Sequence, residues 1–362
     1  MKVAHFADLH LDRPFTWASR EVARRRRQAL RSTLSRIMEV ARERKVGAVL
    51  CGGDLFEQSR VSPDTAEFLR MSFETVHPIP VYIAPGNHDW YGPRGLYQRV
   101  EWSPNVHIFT EDRLEPVSLG EGLTLWGAAH RVPANTEGFL DSFRVDRAGI
   151  HLALFHGSEM GVQEAGKQPH APFLARDIEP AGIHHAFVGH YHRPRHEERL
   201  TYPGNPDPLS FGEDGERGLV LAEIRGDGTV ERETVNVAVS DVVDKNVDVT
   251  GARSREDIRR KVARALEGRR GVARVTLCGE LATEVDLRRG DLQDVADWMD
   301  AVVTRVENLR PAYDFEAIAA EATVRGQFVR NVIGSDLPED ERRRVLITGL
   351  RALEGRTDLE VL

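Results

Sequence analysis

The stretch Val81-Tyr82-Ile83-Ala84-Pro85-Gly86-Asn87-His88-Asp89 places an amide, an imidazole and a carboxylate directly after an apolar run. The run Val81–Ala84 is typical of a buried strand, and Pro85 and Gly86 end it in a loop. In open α/β sheets, ligands bind at the edge formed by the carboxyl ends of the strands. We therefore predict that this polar loop belongs to a ligand site at such an edge.

Polar side chains also follow several other strand-like runs of the sequence. They are Asp8 and His10, Asp54, His156, and His190 and His192. Strands alternate with amphipathic helices in the first part of the chain, which indicates parallel strands joined by right-handed crossovers. Because the carboxyl ends of parallel strands meet at one edge, we expect these side chains to lie close together. We interpret the remaining histidines as structural residues: His5, His77, His107, His130, His151, His170, His184, His185 and His196.

The carboxylate, amide and imidazole groups at these strand ends exceed what one tetrahedral metal site can use. A mixed nitrogen and oxygen set without cysteine suits manganese, iron or zinc. Two ions bridged by one carboxylate would use the whole set, and such pairs, about 3.5–4 Å apart, suit the cleavage of phosphoesters. The sequence therefore predicts a hydrolytic centre with two metal ions.

The chain has 362 residues, of which 41% are hydrophobic, and a formal net charge of −8. This charge argues against a protein that coats DNA through electrostatics alone, but it is compatible with a local basic groove. We expect the run Arg24–Arg27 to be a solvated helix face. Cys51 and Cys278 lack metal-site spacing, and we interpret them as buried thiols in a reducing cytoplasm. We expect no signal peptide, and no apolar run approaches the roughly 18 residues of a membrane span.

The pattern of strands and helices changes near residue 240. We predict a first domain over 1–239, a small α+β domain over 240–318 and a helical tail over 319–362. Within the α+β domain we expect a helix over residues 292–306. Two amphipathic helices are predicted in the tail, and the first of them places Val324, Phe328 and Val332 on one apolar stripe.

The chain resembles the calcineurin-like metallophosphoesterase superfamily in five motifs: Asp8-x-His10, Gly53-Asp54, Gly86-Asn87-His88-Asp89, His156 and Gly189-His190-x-His192. Within that superfamily it is similar to the SbcD-type DNA repair nucleases, especially their YhaO-like branch, in four segments: Asp8–Phe15, Gly53–Phe56, Phe155–Ser158 and Tyr202–Asn205. The resemblance covers residues 1–205 most strongly. It implies an α/β fold, in which a two-sheet sandwich is flanked by helices and followed by a small α+β cap domain and a helical C-terminal tail.

The resemblance also implies a role for each motif residue. Asp54 would bridge the two ions, with Asp8, His10 and His192 completing one site and Asn87, His156 and His190 the other. His88 would act on the phosphate without binding metal, and Asp89 would orient it. Some family members carry a second active-site histidine three residues after the bridging aspartate. This chain has Glu57 there, which could also be a plain loop carboxylate.

The leading hypothesis from this resemblance is a DNA exonuclease or endonuclease that cleaves phosphodiesters with a metal-bridging hydroxide. We expect two divalent ions, for which Mn²⁺ is the leading candidate. We also expect a role in DNA repair or recombination in the cytoplasm. Loop arginines would position the DNA strand: Arg13, Arg60, Arg94, Arg193 and Arg195. The expected partners are DNA and an SMC-like coiled-coil ATPase of the SbcC type, which the tail would grip. A homodimer is also compatible with the resemblance.

Two alternatives stay open at the level of the sequence. The same two-metal chemistry would serve a phosphodiesterase that acts on small molecules or cyclic nucleotides. The second alternative is a non-catalytic scaffold that kept the fold, and the complete ligand set together with His88 counts against it.

Overall fold

The computed structural model describes residues 1–134, 137–162, 168–213, 215–283, 285 and 287–355. The chain divides into two compact units, Met1–Asp241 and Val242–Leu362. Each unit contains its own sheet structure and its own buried core. All of the predicted metal ligands belong to the first unit.

The first unit is built from strands that alternate with helices and loops. In chain order its elements are β1 (Lys2–Phe6), α1 (Arg20–Glu43), β2 (Ala48–Cys51), α2 (Pro63–Glu74), β3 (Val81–Ile83), α3 (Leu96–Arg99), β4 (Val106–Ile108), β5 (Glu115–Gly120), β6 (Leu123–Gly127), β7 (Ile150–His156), β8 (His185–Gly189), β9 (Arg195–Glu197), β10 (Leu200–Tyr202), β11 (Leu219–Ile224) and β12 (Val230–Val235). Most of these strands match the predicted apolar runs, whereas β5, β9 and the short helix α3 were not predicted.

The strands of the first unit form two six-stranded sheets. One has the order β12-β11-β1-β2-β3-β4, and the other has the order β5-β6-β7-β8-β10-β9. Strands β1 to β4 run parallel to one another, as do β6, β7, β8 and β10. Side chains from both sheets share one apolar core, to which β2 contributes Leu50 and β7 contributes Leu154. The sheets therefore form a sandwich, and the predicted fold class is confirmed.

Helices α1 and α2 pack on the outer face of the first sheet. Residues alternate between the two faces of a strand, so Val49 faces a different core from its neighbour Leu50. Val49 shares its cluster with Leu30 and Ile37 of α1, which are fully buried. Helix α2 begins after Ser62, whose hydroxyl accepts a hydrogen bond from the backbone of Thr65, as expected of a helix N-cap. No helix within the described ranges combines the length and apolar character needed to cross a membrane.

Arg26 corrects the prediction that the basic run of α1 is a solvated face. Arg24 and Arg25 are exposed, but Arg26 is fully buried. Its guanidinium pairs with the buried carboxylate of Asp207 at 2.9 Å and also contacts the hydroxyl of Ser240. A buried charge is tolerated when it is paired and hydrogen-bonded. Arg26 therefore anchors α1 to the loop that contains Asp207 and to the segment around Ser240.

The second unit consists of three strands and four helices within its described residues. These are β13 (Val242–Asp248), α4 (Arg255–Leu266), β14 (Val272–Leu281), β15 (Ala301–Pro311), α5 (Phe315–Ala320), α6 (Val324–Ile333) and α7 (Glu339–Leu353). The strands form a parallel sheet in the order β13-β14-β15. Helix α4 packs on this sheet through Ile258 and Val262, which are fully buried.

The helix predicted over residues 292–306 is wrong. The chain forms a short 3-10 turn over Arg289–Leu292 and then the long strand β15, which pairs in parallel with β14. The segment Ala301–Val306 is rich in β-branched residues, which favour a pleated surface. Because a short apolar run fits either period, pairing with β14 decided the outcome.

The helices of the tail pack against one another. Ile318, Val329, Leu346 and Leu350, contributed by α5, α6 and α7, form a small buried cluster. Phe328 also packs against this cluster, and its ring occupies the space where Gly349 would otherwise carry a Cβ atom. The predicted stripe is therefore split between Phe328, which is internal, and Val324, which is 77% exposed.

The two cysteines have different surroundings. Cys51 is fully buried in β2, and burial raises the pKa of its thiol well above the ordinary value. Cys278 in β14 is partly exposed, and both thiols are free. The prediction of buried thiols therefore holds for Cys51 but not for Cys278.

Candidate dimetal centre

The loops that follow five strands bring the predicted ligands together at one end of the sandwich. These loops follow β1, β2, β3, β7 and β8. Asp8, His10 and Asp54 have φ values of 57°, 51° and 51°, in the left-handed region. Non-glycine residues adopt this region at a cost of about 1–3 kcal/mol, and such strain concentrates at functional sites. Gly86 is required for a different reason, because a Cβ atom there would lie 2.3 Å from the Oδ1 atom of Asp54.

Three of the predicted ligands form the first half of the centre. Donor atoms of Asp8, His10 and His192 all lie within 4.8 Å of one another. The carboxylate of Asp8 accepts hydrogen bonds from the backbone N–H of His190 at 3.0 and 3.1 Å. Within the part of the chain that the structure describes, the buried Nε2 atom of His10 has no hydrogen-bond partner, and it lies 3.6 Å from Oδ2 of Asp54. Buried polar atoms normally have a hydrogen-bond partner. A buried nitrogen that lacks one and faces carboxylates is expected where that nitrogen binds a metal ion.

The second half of the centre forms around His156. Its Nε2 atom lies 3.1 Å from Oδ1 of Asn87 and 3.3 Å from Oδ2 of Asp54. Donor atoms of Asp8, Asp54 and His156 lie within 4.8 Å of one another. The ring of His190 is 5.1 Å from the ring of His156, centroid to centroid. Asp54 therefore contacts both halves, which is the position that a bridging ligand requires.

Three of the candidate histidine ligands use Nδ1 for a contact outside the ligand set, which leaves Nε2 as the nitrogen for a metal. The Nδ1 atom of His156 lies 2.9 Å from the carbonyl oxygen of Gly52. A carbonyl oxygen can only accept a hydrogen bond, so Nδ1 must be the donor. The Nδ1 atom of His10 lies 2.9 Å from Glu57, and that of His192 lies 3.0 Å from Glu213. Metal-binding histidines typically donate their second ring N–H to a carboxylate or carbonyl in this way. The side chains present therefore fit a pair of divalent ions.

The electrostatics of the centre also call for positive charge. Burial would raise the pKa of Asp54, but the neighbouring His156 outweighs it and holds the pKa well below the ordinary value. Burial would lower the pKa of His156, but the charge of Asp54 outweighs it and raises the pKa to about 9. Burial lowers the pKa of His190 to about 2, so this ring stays neutral and suits metal binding. Cations at this place would compensate the buried carboxylates.

Asp89 does not orient His88, contrary to our expectation. Its buried carboxylate accepts hydrogen bonds from the backbone N–H groups of Asp54, Leu55 and Gly86 and from the hydroxyl of Tyr97. The bonds from Leu55 and Tyr97 measure 2.8 and 2.6 Å. Asp89 therefore ties the loop after β2 to the loop after β3. It thereby positions Asp54 through the backbone.

His88 is held by Glu57 instead. Its Nδ1 atom lies 2.8 Å from Oε2 of Glu57, and its backbone N–H donates to Oδ1 of Asp54 at 2.8 Å. The side chain of His88 is 43% exposed, so its ring reaches the solvent side of the centre. The hydrogen bond that the ring donates to Glu57 has the largest influence on the pKa of His88 and raises it. Because Glu57 also bonds His10, the alternative that it is a plain loop carboxylate is wrong.

Glu213 was missed by the sequence reasoning. Its carboxylate accepts hydrogen bonds from His192 at 3.0 Å and from the backbone N–H of Leu209 at 2.7 Å. It also contacts the side chains of Asn205 and Ser210. The nearest signal in the sequence was the motif ending at Asn205, which holds Glu213 in place. Burial would raise the pKa of Glu213, but the bond from His192 and the other contacts lower it.

The five loop arginines differ in their surroundings. Arg60, Arg94 and Arg193 are exposed, and Arg13 is partly exposed. The backbone N–H groups of Arg13 and Arg60 donate to the carbonyls of His10 and Glu57, at 3.1 and 2.9 Å, which fixes both residues beside the centre. Arg195 is instead engaged by Glu159 at 2.9 Å and by Glu197. It is therefore the weakest of the five candidates for a contact with DNA.

The sequence profile of the calcineurin-like phosphoesterases matches residues 1–194. The chain therefore belongs to the calcineurin-like phosphoesterase family, as the motifs predicted. Membership implies divalent metal ions, and the assembled side chains are the candidate ligands.

Similarity to curated proteins extends beyond the family profile, as three examples illustrate. The uncharacterized metallophosphoesterase YhaO of Bacillus subtilis is 30% identical over 234 residues, which cover 61% of this chain and 56% of that protein. The DNA double-strand break repair protein Mre11 of Methanopyrus kandleri is 28% identical over 303 residues, or 73% of this chain and 63% of that protein. A component of the nuclease SbcCD of Rhodobacter capsulatus is 23% identical over 282 residues, or 62% of this chain and 67% of that protein. The chain thus spans less than two thirds of the length of the first two relatives.

Proposed function

We propose that this chain is a metal-dependent DNA nuclease that hydrolyses phosphodiester bonds. The observation that carries the proposal is the convergence of the seven predicted ligands, Asp54 among them, with His88 exposed beside them. When bound, two divalent ions would neutralise phosphate oxygens and lower the pKa of a water molecule. The side chains of the loops would hold the ions and act on the reacting phosphate.

Each half of the centre would hold one ion. Asp8, His10 and His192 would bind the first, and Asn87, His156 and His190 would bind the second, with Asp54 shared between them. Four imidazoles favour manganese over the harder magnesium ion, which prefers oxygen ligands and keeps its waters. We therefore propose Mn²⁺ as the activating ion.

His88 would act on the reacting phosphate. Its Nδ1 atom is bonded to Glu57, so its Nε2 atom is the one that can meet a substrate. A protonated ring there would stabilise the charge that develops on the phosphate and deliver a proton to the leaving oxygen. Its exposure of 43% allows such contact before any conformational change.

The names of two relatives favour DNA over a small phosphodiester. One relative is described as a DNA double-strand break repair protein and another as part of the nuclease SbcCD. Arg13, Arg60, Arg94 and Arg193 supply cationic side chains in the same loops. Among the described residues none of these four side chains has an ion-pair partner, so they could contact phosphates, which position a nucleic acid without reading its sequence.

The tail would be the site where an SMC-like ATPase of the SbcC type binds. Short helices gain stability by burying an apolar face, and helix-in-groove contacts use apolar residues at helical spacing. The internal packing of Phe328 moves this proposal to the residues that remain exposed on α6 and α7. These are Val324, Ile333, Val345 and Leu353.

The proposal is tested with the full chain after metal stripping and reconstitution with Mn²⁺ or Mg²⁺. Linear, single-stranded and circular DNA would be compared with cyclic AMP and bis-p-nitrophenyl phosphate. We expect Mn²⁺-dependent cleavage of DNA that His88→Ala removes. If the chain hydrolysed cyclic AMP but left all of the DNA substrates uncleaved, it would be a small-molecule phosphodiesterase and the proposed nuclease would be refuted.

A further inference from the structure

We propose that Glu57 is a positioning residue that fixes the ring tautomers of both His10 and His88. The two oxygens of its carboxylate are used separately. Oε1 lies 2.9 Å from Nδ1 of His10, and Oε2 lies 2.8 Å from Nδ1 of His88. One side chain thereby connects a proposed metal ligand with the proposed general acid. For the function of the two rings, this inference rests on the proposed function.

The geometry of the carboxylate determines where the ring protons lie. An ionised carboxylate only accepts hydrogen bonds, so each Nδ1 atom must carry the proton it donates. In a neutral imidazole the other nitrogen then presents a lone pair. The Nε2 atom of His10 is buried, has no hydrogen-bond partner among the described residues and faces Asp54, as this tautomer requires. Glu57 therefore aims the lone pair of His10 at the metal centre.

The position of Glu57 is itself fixed by the backbone. Its N–H donates to the carbonyl of Leu11 at 3.0 Å, and its carbonyl accepts from the N–H of Arg60 at 2.9 Å. Its side chain is only 13% exposed. Within the described ranges Glu57 is the hydrogen-bond acceptor for both Nδ1 atoms, because Asp89 is occupied by the backbone of the neighbouring loops.

Glutamine cannot replace this glutamate in both contacts. Its amide oxygen can accept from one ring, but its NH₂ group is a donor that faces the other ring. That second ring must then carry its proton on Nε2. For His10 this turns the lone pair away from the centre, and for His88 it removes the acceptor that stabilises the ring when it is protonated on both nitrogens. Aspartate keeps the charge but is one methylene shorter, so it should keep only one of the two contacts. The pair of variants therefore separates charge from reach.

The direct test reads the tautomers in the metal-free protein. At a pH at which both rings are neutral, long-range ¹⁵N–¹H NMR of the ring nitrogens should show the Nδ1–H form for both His10 and His88 in the unaltered chain. In Glu57→Gln one of the two rings should change to the Nε2–H form. Glu111→Gln removes a carboxylate that is paired with Arg131 on the surface, and it should leave both rings unchanged. This readout needs neither metal nor turnover.

Two further measurements follow from the same inference. Mn²⁺ affinity or kcat on bis-p-nitrophenyl phosphate should fall about 10- to 100-fold in Glu57→Gln, the usual effect of removing the partner of a metal-binding histidine. KM should change little, because the Glu57 carboxylate is only 13% exposed and both of its oxygens are engaged by the two rings. Glu57→Asp should lie between Glu57→Gln and the unaltered chain, and it serves as the test if Glu57→Gln fails to fold.

The inference would be overturned if both rings kept the Nδ1–H form in Glu57→Gln. It would also be overturned if the unaltered chain bound a third ion that Glu57→Gln lost, because Glu57 would then be a ligand. Failure of the proposed function is distinguishable from these outcomes. A chain that shows the expected tautomers but leaves DNA intact would retain the positioning role and lose the nuclease.

Discussion

The Nδ1 atom of His192 lies 3.0 Å from Oε1 of Glu213, and Oε2 of the same carboxylate accepts a hydrogen bond from the backbone N–H of Leu209. This carboxylate holds the ring of a proposed metal ligand in one orientation. We expect Glu213→Gln to weaken binding of the first Mn²⁺ ion about 10- to 100-fold, the usual cost of such a change. Isothermal titration of the metal-free protein measures the effect. Unchanged affinity would mean that Glu213 serves only the loop that contains Leu209.

Asp54 should matter more for metal content than any other ligand, because it contacts both halves of the centre. We expect Asp54→Ala to lose both ions, whereas Asn87→Ala, which affects one half, should lose mainly one. Metal analysis of the purified variants gives the stoichiometry. Two tightly held ions in Asp54→Ala would contradict the bridging role.

His88 should separate binding from chemistry. The Nδ1 atom of its ring is bonded to Glu57, and 43% of its side chain is exposed. We expect His88→Ala to keep its metal and to lose cleavage by about 10²–10⁴-fold, the usual contribution of a positioned acid. Parallel measurements of metal content and kcat decide the matter. A loss of metal that follows the loss of activity would make His88 a ligand.

The strand ends of the centre could be predicted because each ligand follows an apolar run directly in the sequence. The partners of these ligands could not. Glu57 is hydrogen-bonded to His88, and Glu213 is hydrogen-bonded to His192. Both glutamates lie on loops whose paths depend on tertiary packing. The expectation for Asp89 failed for the same reason, since adjacency to His88 in the chain says nothing about which backbone groups a buried carboxylate reaches.

Other differences arose where local pattern competed with pairing. Residues 301–306 were predicted as the end of a helix, but they form the first part of β15 because β14 offers a parallel partner. Arg26 lies in a run of four arginines, and only its place on the buried stripe of α1 distinguishes it. In both cases the deciding partner is distant in sequence.

The pair of Arg26 and Asp207 should be important for stability. Both side chains are fully buried, and removal of one partner leaves an uncompensated charge. We expect Asp207→Ala to lower the free energy of unfolding by about 3–5 kcal/mol. Chemical denaturation measures it, with Glu233→Ala as the control, because Glu233 pairs with Arg44 at the surface. Equal stability of the two variants would show that the buried pair is not a structural anchor.

The tail offers two apolar residues of α6 with opposite environments. Phe328 packs against Gly349, whereas Val324 is 77% exposed. We expect Phe328→Asp to destabilise the packing of α6 on α7 by about 1–3 kcal/mol, because an apolar ring is replaced by a charge. Val324→Asp should leave that packing intact. Hydrogen exchange of the α7 amides reads the difference.

The same two variants test the proposed partner contact of the tail. If the exposed side of α6 binds an SbcC-type ATPase, Val324→Asp should abolish co-purification although the tail stays folded and bis-p-nitrophenyl phosphate hydrolysis is unchanged. The reason is that a charge at an apolar anchor is desolvated on binding without being paired. Retention of the ATPase by Val324→Asp, together with its loss in Phe328→Asp, would show that the partner needs only a folded tail and that it docks elsewhere.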